Sequence, residues 1–205
     1  MSNVSIARPW RHRQPQHAAH LARIRERVMA MTPQPLGEDE RRDLLQIQGR
    51  RKLARDLYAE LAKRWSAPAL VRVGAAEEAH LDAIDALIEH YGLPDPVARD
   101  AGGQSGDPQT LALHAQLVDM GRRSEMAASQ IGMLVEELGL RDLAAARSRT
   151  RQPEIVAVYD DLMRSSRNHM RAFFRQMQRF EGEYVPQYLT LTDFEAIVWT
   201  QPEPC

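Results

Sequence analysis

The stretch ALVRVGAAEEAHLDAIDALIEHYGL, residues 69–93, contains no proline and is rich in Ala, Leu and Glu, which favour helices. Its larger apolar residues, from Val73 to Ile84 and Leu87, recur at spacings of three and four, the period of an amphipathic helix. The alternation of apolar and polar residues that is typical of a strand is missing from it. The stretch therefore predicts one long helix over about residues 68–91.

Prolines divide the rest of the chain in the same way, because proline disrupts the interior of a helix. The proline-free windows are 36–67, 69–93, 109–152 and 154–185. They predict long helices over about 39–64, 68–91, 124–147 and 153–181, with a short helix over about 108–120. A Gly-rich loop at 101–107 and the short helix form a long crossover between the second and third long helices, a connection found in ferritin-like bundles. We expect an all-α, antiparallel four-helix bundle.

Composition limits the classes of function. The chain has 205 residues, 27 Lys+Arg against 28 Asp+Glu, and a single cysteine, Cys205. One thiol excludes an intrachain disulfide and disfavours a cysteine metal site, so a metal would be held by oxygen and nitrogen. Near-neutral charge disfavours a specific nucleic-acid binder, and no apolar stretch is long enough to span a membrane. Because the first residues also lack the apolar core of a secretory signal, we expect a cytoplasmic protein.

The N-terminus differs from the rest in charge. Residues 1–31 carry six arginines against Glu26 alone, a net charge of +5, which leaves −6 for the remainder. From about Gln16 the pattern becomes helical, with an apolar stripe at Leu21, Ile24, Val28 and Met31. We therefore separate an arm, residues 1–37, from a bundle domain, residues 38–200. The arm is expected to dock on its own bundle or on a second subunit as a homodimer; the alternative is an anionic or protein partner.

Four polar residues interrupt the apolar stripes of the long helices. Glu77 and His80, at positions i and i+3, lie between Val73 and Ile84, so both side chains are predicted to point inward. Two more inward candidates on the third and fourth long helices are Glu136, preferred over Glu137, and His169. A single buried histidine or glutamate is usually a satisfied core group, but three helices contribute here, and Glu-x-x-His is a spacing that bundle metal sites use. The candidate metal ligands are Glu77, His80, Glu136 and His169.

Several blocks of sequence resemble an uncharacterised branch of the ferritin-like superfamily, related to rubrerythrins and bacterioferritins. They are KLARDLY at 52–58, AEEAHLDAIDALIEHYGLPDP at 76–96, VEELGLRDL at 135–143, SRNHMRAF at 166–173 and YVPQYL at 184–189. The resemblance covers about residues 38–198. It implies a ferritin-like four-helix bundle with a carboxylate and histidine metal centre, commonly di-iron, but no function for the branch itself.

The chain departs from that family pattern where metals would lie. The pattern has a run of glutamates just before KLARD, and here the run is Gly49, Arg50 and Arg51. Stepping three or four residues on from Ile47 reaches position 50 or 51, so helical spacing also places an arginine in the interior. In addition, Gly139 stands where the pattern usually has an acid. Both changes remove carboxylates.

Charge therefore disfavours a di-iron site. Two divalent ions bring a charge of +4, and ferritin-like sites offset most of it with about four carboxylates. In this chain the two inward glutamates supply only −2. Two interpretations stay open: one divalent ion (Fe, Zn or Mn) at the four candidate ligands, or a metal-free centre in which Arg50 or Arg51 pairs with the glutamates. The second makes the bundle and its arm a structural or interaction module. We predict no catalytic residue and no organic cofactor, and a metal-dependent oxidoreductase is implied by the resemblance alone.

Overall fold

The computed structural model describes residues 14–94 and 108–204, and the side chains of all these residues except 14–18. The Gly-rich loop at 101–107 and the arginines before residue 14 lie outside them. The described residues are all-helical, as predicted. In chain order the helices are α1 Gln14–Ala30, α2 Glu38–Arg64, α3 Pro68–His90, α4 Pro108–Gly121, α5 Glu125–Arg149, α6 Pro153–Gln178 and α7 Leu191–Val198.

Helix starts follow from local chemistry. Proline is the first residue of α3, α4 and α6, where its missing N–H costs no hydrogen bond. The side chain of Ser124 caps α5 by accepting a hydrogen bond from the Ala127 N–H at 2.9 Å, and Thr190 caps α7 through the Asp193 N–H at 3.1 Å. The helix bounds predicted from the sequence lie within a few residues of those in the structure, because these start signals act locally.

The long helices pack on one another around a shared core. Helix α2 packs on α3 and α5, and α6 packs on α3 and α5, while α4 lies against α2 and α5. The short helix α7 packs on α6. Among the described residues, no helix is both long and apolar enough to cross a membrane.

A polar layer divides the apolar core into two clusters. One cluster is centred on residues such as Leu57, Leu61 and Phe173, and the other on residues such as Leu44 and Ile84. Between them, each of the four long helices contributes buried polar side chains. These are Arg51 from α2, Glu77 and His80 from α3, Glu136 from α5, and Ser166 and His169 from α6.

Helix α1 packs on α3 and α6 of its own chain. Leu21, Ile24 and Val28 of the predicted stripe are buried in the second apolar cluster. Met31 follows the end of the helix and is 38% exposed, so the stripe stops one turn earlier than predicted. The histidine ring of His20 lies 2.9 Å from an oxygen of Asp161 on α6, which ties the helix to the body.

Candidate metal centre

The four residues predicted as metal ligands lie together in the polar layer. Glu77, His80 and Glu136 are completely buried, and His169 is 8% exposed. His80 Nδ1 is 3.2 Å from Glu77 Oε1. His169 Nδ1 lies 3.2 Å from Oε1 of both Glu77 and Glu136, so it links the two carboxylates. Glu77 and His80 share one face of α3 through their i, i+3 spacing. Because α3 and α5 both pack on α6, all four side chains meet at one interior point.

Arg51 is the arginine that enters this centre. Its side chain is almost fully buried, and Nη1 lies 3.4 and 3.5 Å from the two oxygens of Glu77. The same nitrogen donates to Ser166 Oγ at 3.4 Å and lies 3.9 Å from Glu136 Oε2. Arg50 instead pairs with Asp142 at 3.2 Å at the edge of the bundle. The alternative that the sequence left open is therefore resolved in favour of position 51.

Gly139 makes room for this arginine. A Cβ atom built on Gly139 would lie 2.1 Å from Arg51 Nη2, far inside van der Waals contact. Glycine on α5 and arginine on α2 are therefore sterically complementary. The two departures from the family pattern at these positions belong to one local arrangement.

The pKa values of the centre follow from burial opposed by ion pairing. Burial alone would raise the pKa of Glu77, but Arg51 and the two histidines hold it well below its usual range. Burial would lower the pKa of His169, whereas the carboxylates of Glu136 and Glu77 raise it to about 9. At neutral pH the metal-free centre then holds two cations, Arg51 and His169, against two carboxylates. It is balanced in charge.

Tyr58 completes the wall of the centre on α2. Its hydroxyl donates to Glu136 Oε1 at 2.9 Å, and burial together with the nearby carboxylates raises its pKa well above the usual range. The tyrosine therefore stays protonated and acts as a hydrogen-bond donor. The other oxygen, Glu136 Oε2, is buried without a hydrogen-bond partner among the described residues. It faces Arg51 Nη1, which lies 3.9 Å away, beyond hydrogen-bond distance.

These donors have the spacing of ligands around one metal ion. One ligand atom each from Glu77, His80 and His169 lie within 4.8 Å of one another, and Glu136 Oε1 is adjacent to His169. Ligands bound at about 2.0–2.2 Å lie roughly 3.0–3.6 Å apart around a single ion. The 3.2 Å separations fit that range. Glu77, His80 and His169 could therefore hold one metal ion, while Arg51 lies next to both carboxylates.

Sequence reasoning missed the role of Glu137, because it preferred Glu136 as the inward carboxylate. It is completely buried and accepts hydrogen bonds from the Tyr184 hydroxyl at 2.7 Å and from the Gln187 and Leu189 N–H groups at 3.0 and 2.6 Å. The extended segment 183–190 is thereby fixed across α5. A signal was available, since a proline-containing extended segment outside any sheet leaves N–H groups that need acceptors.

Comparison with known proteins places the chain in a family. Residues 40–201 match the model of an uncharacterized protein domain, DUF2202. An uncharacterized protein of Methanocaldococcus jannaschii, MJ0754, is 35% identical over 178 residues, which cover 87% of this chain and 96% of that protein. The crystal structure of hypothetical protein MJ0754 superposes with a TM-score of 0.81, covering 85% of this chain and 99% of the other. The chain belongs to the DUF2202 family of uncharacterized protein domains.

Proposed function

We propose that the protein is a ferritin-like four-helix-bundle metalloprotein whose core binds one divalent ion, Fe, Zn or Mn, rather than a pair. The observation that carries the proposal is the convergence of Glu77, His80 and His169 on one point, with Glu136 adjoining them. Glu136 Oε2 supports it, because this buried carboxylate oxygen has no hydrogen-bond partner among the described residues and its ion pair with Arg51 is long, at 3.9 Å. The four ligands are those that the helical spacing predicted.

Arg51 limits the site to one ion. With Arg51 charged and both glutamates ionised, one divalent ion and neutral histidines give the centre a net charge of +1. A second divalent ion would raise it to +3 in a buried site, where uncompensated charge is strongly disfavoured. We therefore do not expect the two-metal oxygen chemistry of di-iron bundles. Arg51 holds the position that a second cation would need.

The residues around the ion have defined tasks. A bound divalent ion would supply Lewis acidity and, for iron or manganese, a one-electron redox couple. Arg51 fixes the orientation of Glu77, and Tyr58 holds Glu136 through its hydroxyl. His169 must lose its proton before its nitrogen can bind an ion, so metal binding is expected to release a proton and to strengthen with rising pH.

A specific observation favours a second candidate, a metal-free structural centre. Two buried cations and two carboxylates already balance, and Arg51 contacts both oxygens of Glu77. In that case the core is a fixed ion-pair network, and the protein acts as a structural or interaction module. The two candidates use the same residues and differ in whether an ion replaces the proton of His169 and the hydrogen bonds of that histidine with Glu77 and Glu136.

Metal analysis separates the two candidates. Protein purified without chelator would be loaded anaerobically with ferrous iron, manganese or zinc in separate samples, and the metal per chain measured. About one ion per chain is expected, lost in His80→Ala and Glu136→Ala but retained in the matched control His20→Ala, which lies outside the centre. No metal in any sample supports the metal-free centre, and two ions per chain would contradict the argument from Arg51.

A charge-reversal variant tests the role of the arginine directly. Arg51→Glu adds a carboxylate next to Glu77 and removes the fixed cation, so it should raise the stoichiometry or affinity for metal. Arg50→Glu is the matched control, because Arg50 pairs with Asp142 outside the centre. Equal metal binding by the two variants would show that Arg51 does not limit the site.

We also infer that residues 38–200 form the bundle domain and residues 1–37 an arm, whose described helix α1 is held on the bundle. Burial of Leu21, Ile24 and Val28 against the chain's own helices supports this division, as does the ion pair of Arg25 with Glu89 at 2.8 Å. A stripe that is already covered is not available to a second subunit, so we do not propose a homodimer formed through it.

A further inference from the structure

A cleft of about 550 Å³ lies between α2 and α4, lined by residues outside the metal centre. Leu53, Ala59, Leu111 and Val118 supply apolar surface to it. Its size is in the range of sites that hold small molecules. The family comparisons assign nothing to this cleft.

The acidic residues of the cleft already have cationic partners. Glu60 contacts Lys63 at 2.9 Å, and Asp56 contacts Arg55 at 2.7 Å. The remaining pairs are Glu60 with Arg122 and Asp119 with Arg123. Among the described residues, none of these carboxylates forms an ion pair with Lys52.

Lys52 is the exception in this cleft. The residue is only 2% exposed. Its Nζ has no hydrogen-bond partner among the described residues. On the α4 side of the same cleft, His114 Nε2 is also buried and without a hydrogen-bond partner. A buried ammonium is costly unless an anion or several acceptors pair with it. A bound anion would therefore stabilise the ammonium of Lys52 in this cleft.

We propose that the cleft binds a small organic monocarboxylate, with its carboxylate on Lys52 and its apolar body against the α2 and α4 side chains. One ammonium, with the imidazole of His114 elsewhere on the same cleft, matches a single negative charge. The three carboxylates of Asp56, Glu60 and Asp119 would repel a dianionic phosphate more strongly than a monoanion. The apolar lining favours an aliphatic body over a fully polar ligand.

Hexanoate is a suitable probe, measured by isothermal titration calorimetry and by NMR of the full-length protein. Binding is expected at one site per chain, and Lys52→Met, which keeps the shape but removes the charge, should weaken it at least tenfold. The matched control Lys63→Met removes a lysine of the same cleft that is exposed and paired with Glu60, and it should keep wild-type affinity. Hexanol, which lacks the charge, should bind at least tenfold more weakly than hexanoate.

Other results would overturn the proposal. Equal hexanoate affinity of Lys52→Met and the wild type would show that the carboxylate does not contact Lys52. Tighter binding of inorganic phosphate than of hexanoate would assign the cleft to a different anion. Absence of binding by hexanoate in a folded protein, checked by circular dichroism, would leave Lys52 as an unpaired core residue and refute the site. Metal stoichiometry should stay the same in Lys52→Met, so the outcome is independent of the metal proposal.

Discussion

Arg51 and Lys52 are neighbours on α2 and almost equally buried, at 1% and 2% exposure, yet their surroundings differ in charge. Arg51 faces α3, α5 and α6, where Glu77, Glu136 and Ser166 surround its guanidinium. Lys52 faces the cleft with α4, where the carboxylates are already paired. Adjacent residues of a helix point about 100° apart. Arg51 therefore meets two carboxylates, whereas Lys52, the next residue, has no counter-ion among the described residues; we call them the compensated and the uncompensated cation. Burial alone does not show which of two charges stabilises a fold.

The largest effect should come from removing the compensated cation. Arg51→Met leaves Glu77 and Glu136 buried without their fixed counter-ion, and breaking a buried pair typically costs about 3–5 kcal/mol. Urea unfolding of the metal-free protein measures the loss. Arg50→Met, at a partly exposed pair with Asp142, should cost about 1 kcal/mol or less. Equal losses in the two variants would contradict the comparison.

Raising the pH should lower the free energy of unfolding, because His169 in the same centre loses its proton. Its folded pKa of about 9 exceeds the ordinary value of 6.5, so its stabilising contribution is complete below about pH 6.5 and is lost as pH rises through 9. The shift corresponds to roughly 3 kcal/mol of unfolding free energy. Unfolding of metal-free protein between pH 6 and 10 measures it, with His169→Gln as the variant that should lack this pH dependence. A flat profile in the wild type would count against a protonated His169.

Filling the space beside Arg51 should have a smaller effect. In Gly139→Ala the new methyl overlaps Arg51 Nη2, so the guanidinium must shift from its present position, at a cost of about 1–3 kcal/mol. Gly49→Ala on α2 is the matched control, since nothing lies within 4 Å of its Cβ position. That variant should stabilise the helix by roughly 0.5–1 kcal/mol. Opposite signs for the two glycines in thermal unfolding would support the steric argument, and equal signs would refute it.

The smallest effect is expected at the uncompensated cation. Lys52→Met removes a buried charge without stranding a carboxylate, so stability should stay within about 1 kcal/mol of the wild type, with any change towards higher stability. The contrast with Arg51→Met, measured in the same denaturant series, is the sharpest form of the comparison. A loss of several kcal/mol in Lys52→Met would mean that the lysine has a counter-ion after all.

Much of the site could be predicted because helix geometry is local. Glu77 and His80 share a face through their i, i+3 spacing, and Glu136 and His169 interrupt stripes of the same period. Their burial was therefore predictable from the sequence. Their function as metal ligands stays a prediction, which the metal analysis described above tests.

Which of two adjacent polar residues is buried, and against what, could not be predicted from the apolar spacing. At 3.6 residues per turn, the apolar stripe of α2 passes between positions 50 and 51, so the pattern cannot choose between the two arginines. On α5 the pattern favours Glu136 over Glu137 but does not show that Glu137 is buried as well. In the structure both glutamates are buried, Glu136 in the polar layer and Glu137 under the segment 183–190. The difference depends on what each face meets, which is a property of packing.

The sequence by itself determined the helices and the four polar residues that interrupt their apolar stripes, Glu77, His80, Glu136 and His169. Prolines and apolar spacing act within a few residues, so their consequences do not depend on distant parts of the chain. Only the tertiary structure decided that Arg51 enters the centre, that Gly139 gives it space, and that Lys52 is left without a counter-ion. Each depends on side chains from helices far apart in sequence, because the energy of a buried charge is set by the groups that packing brings within a few ångströms.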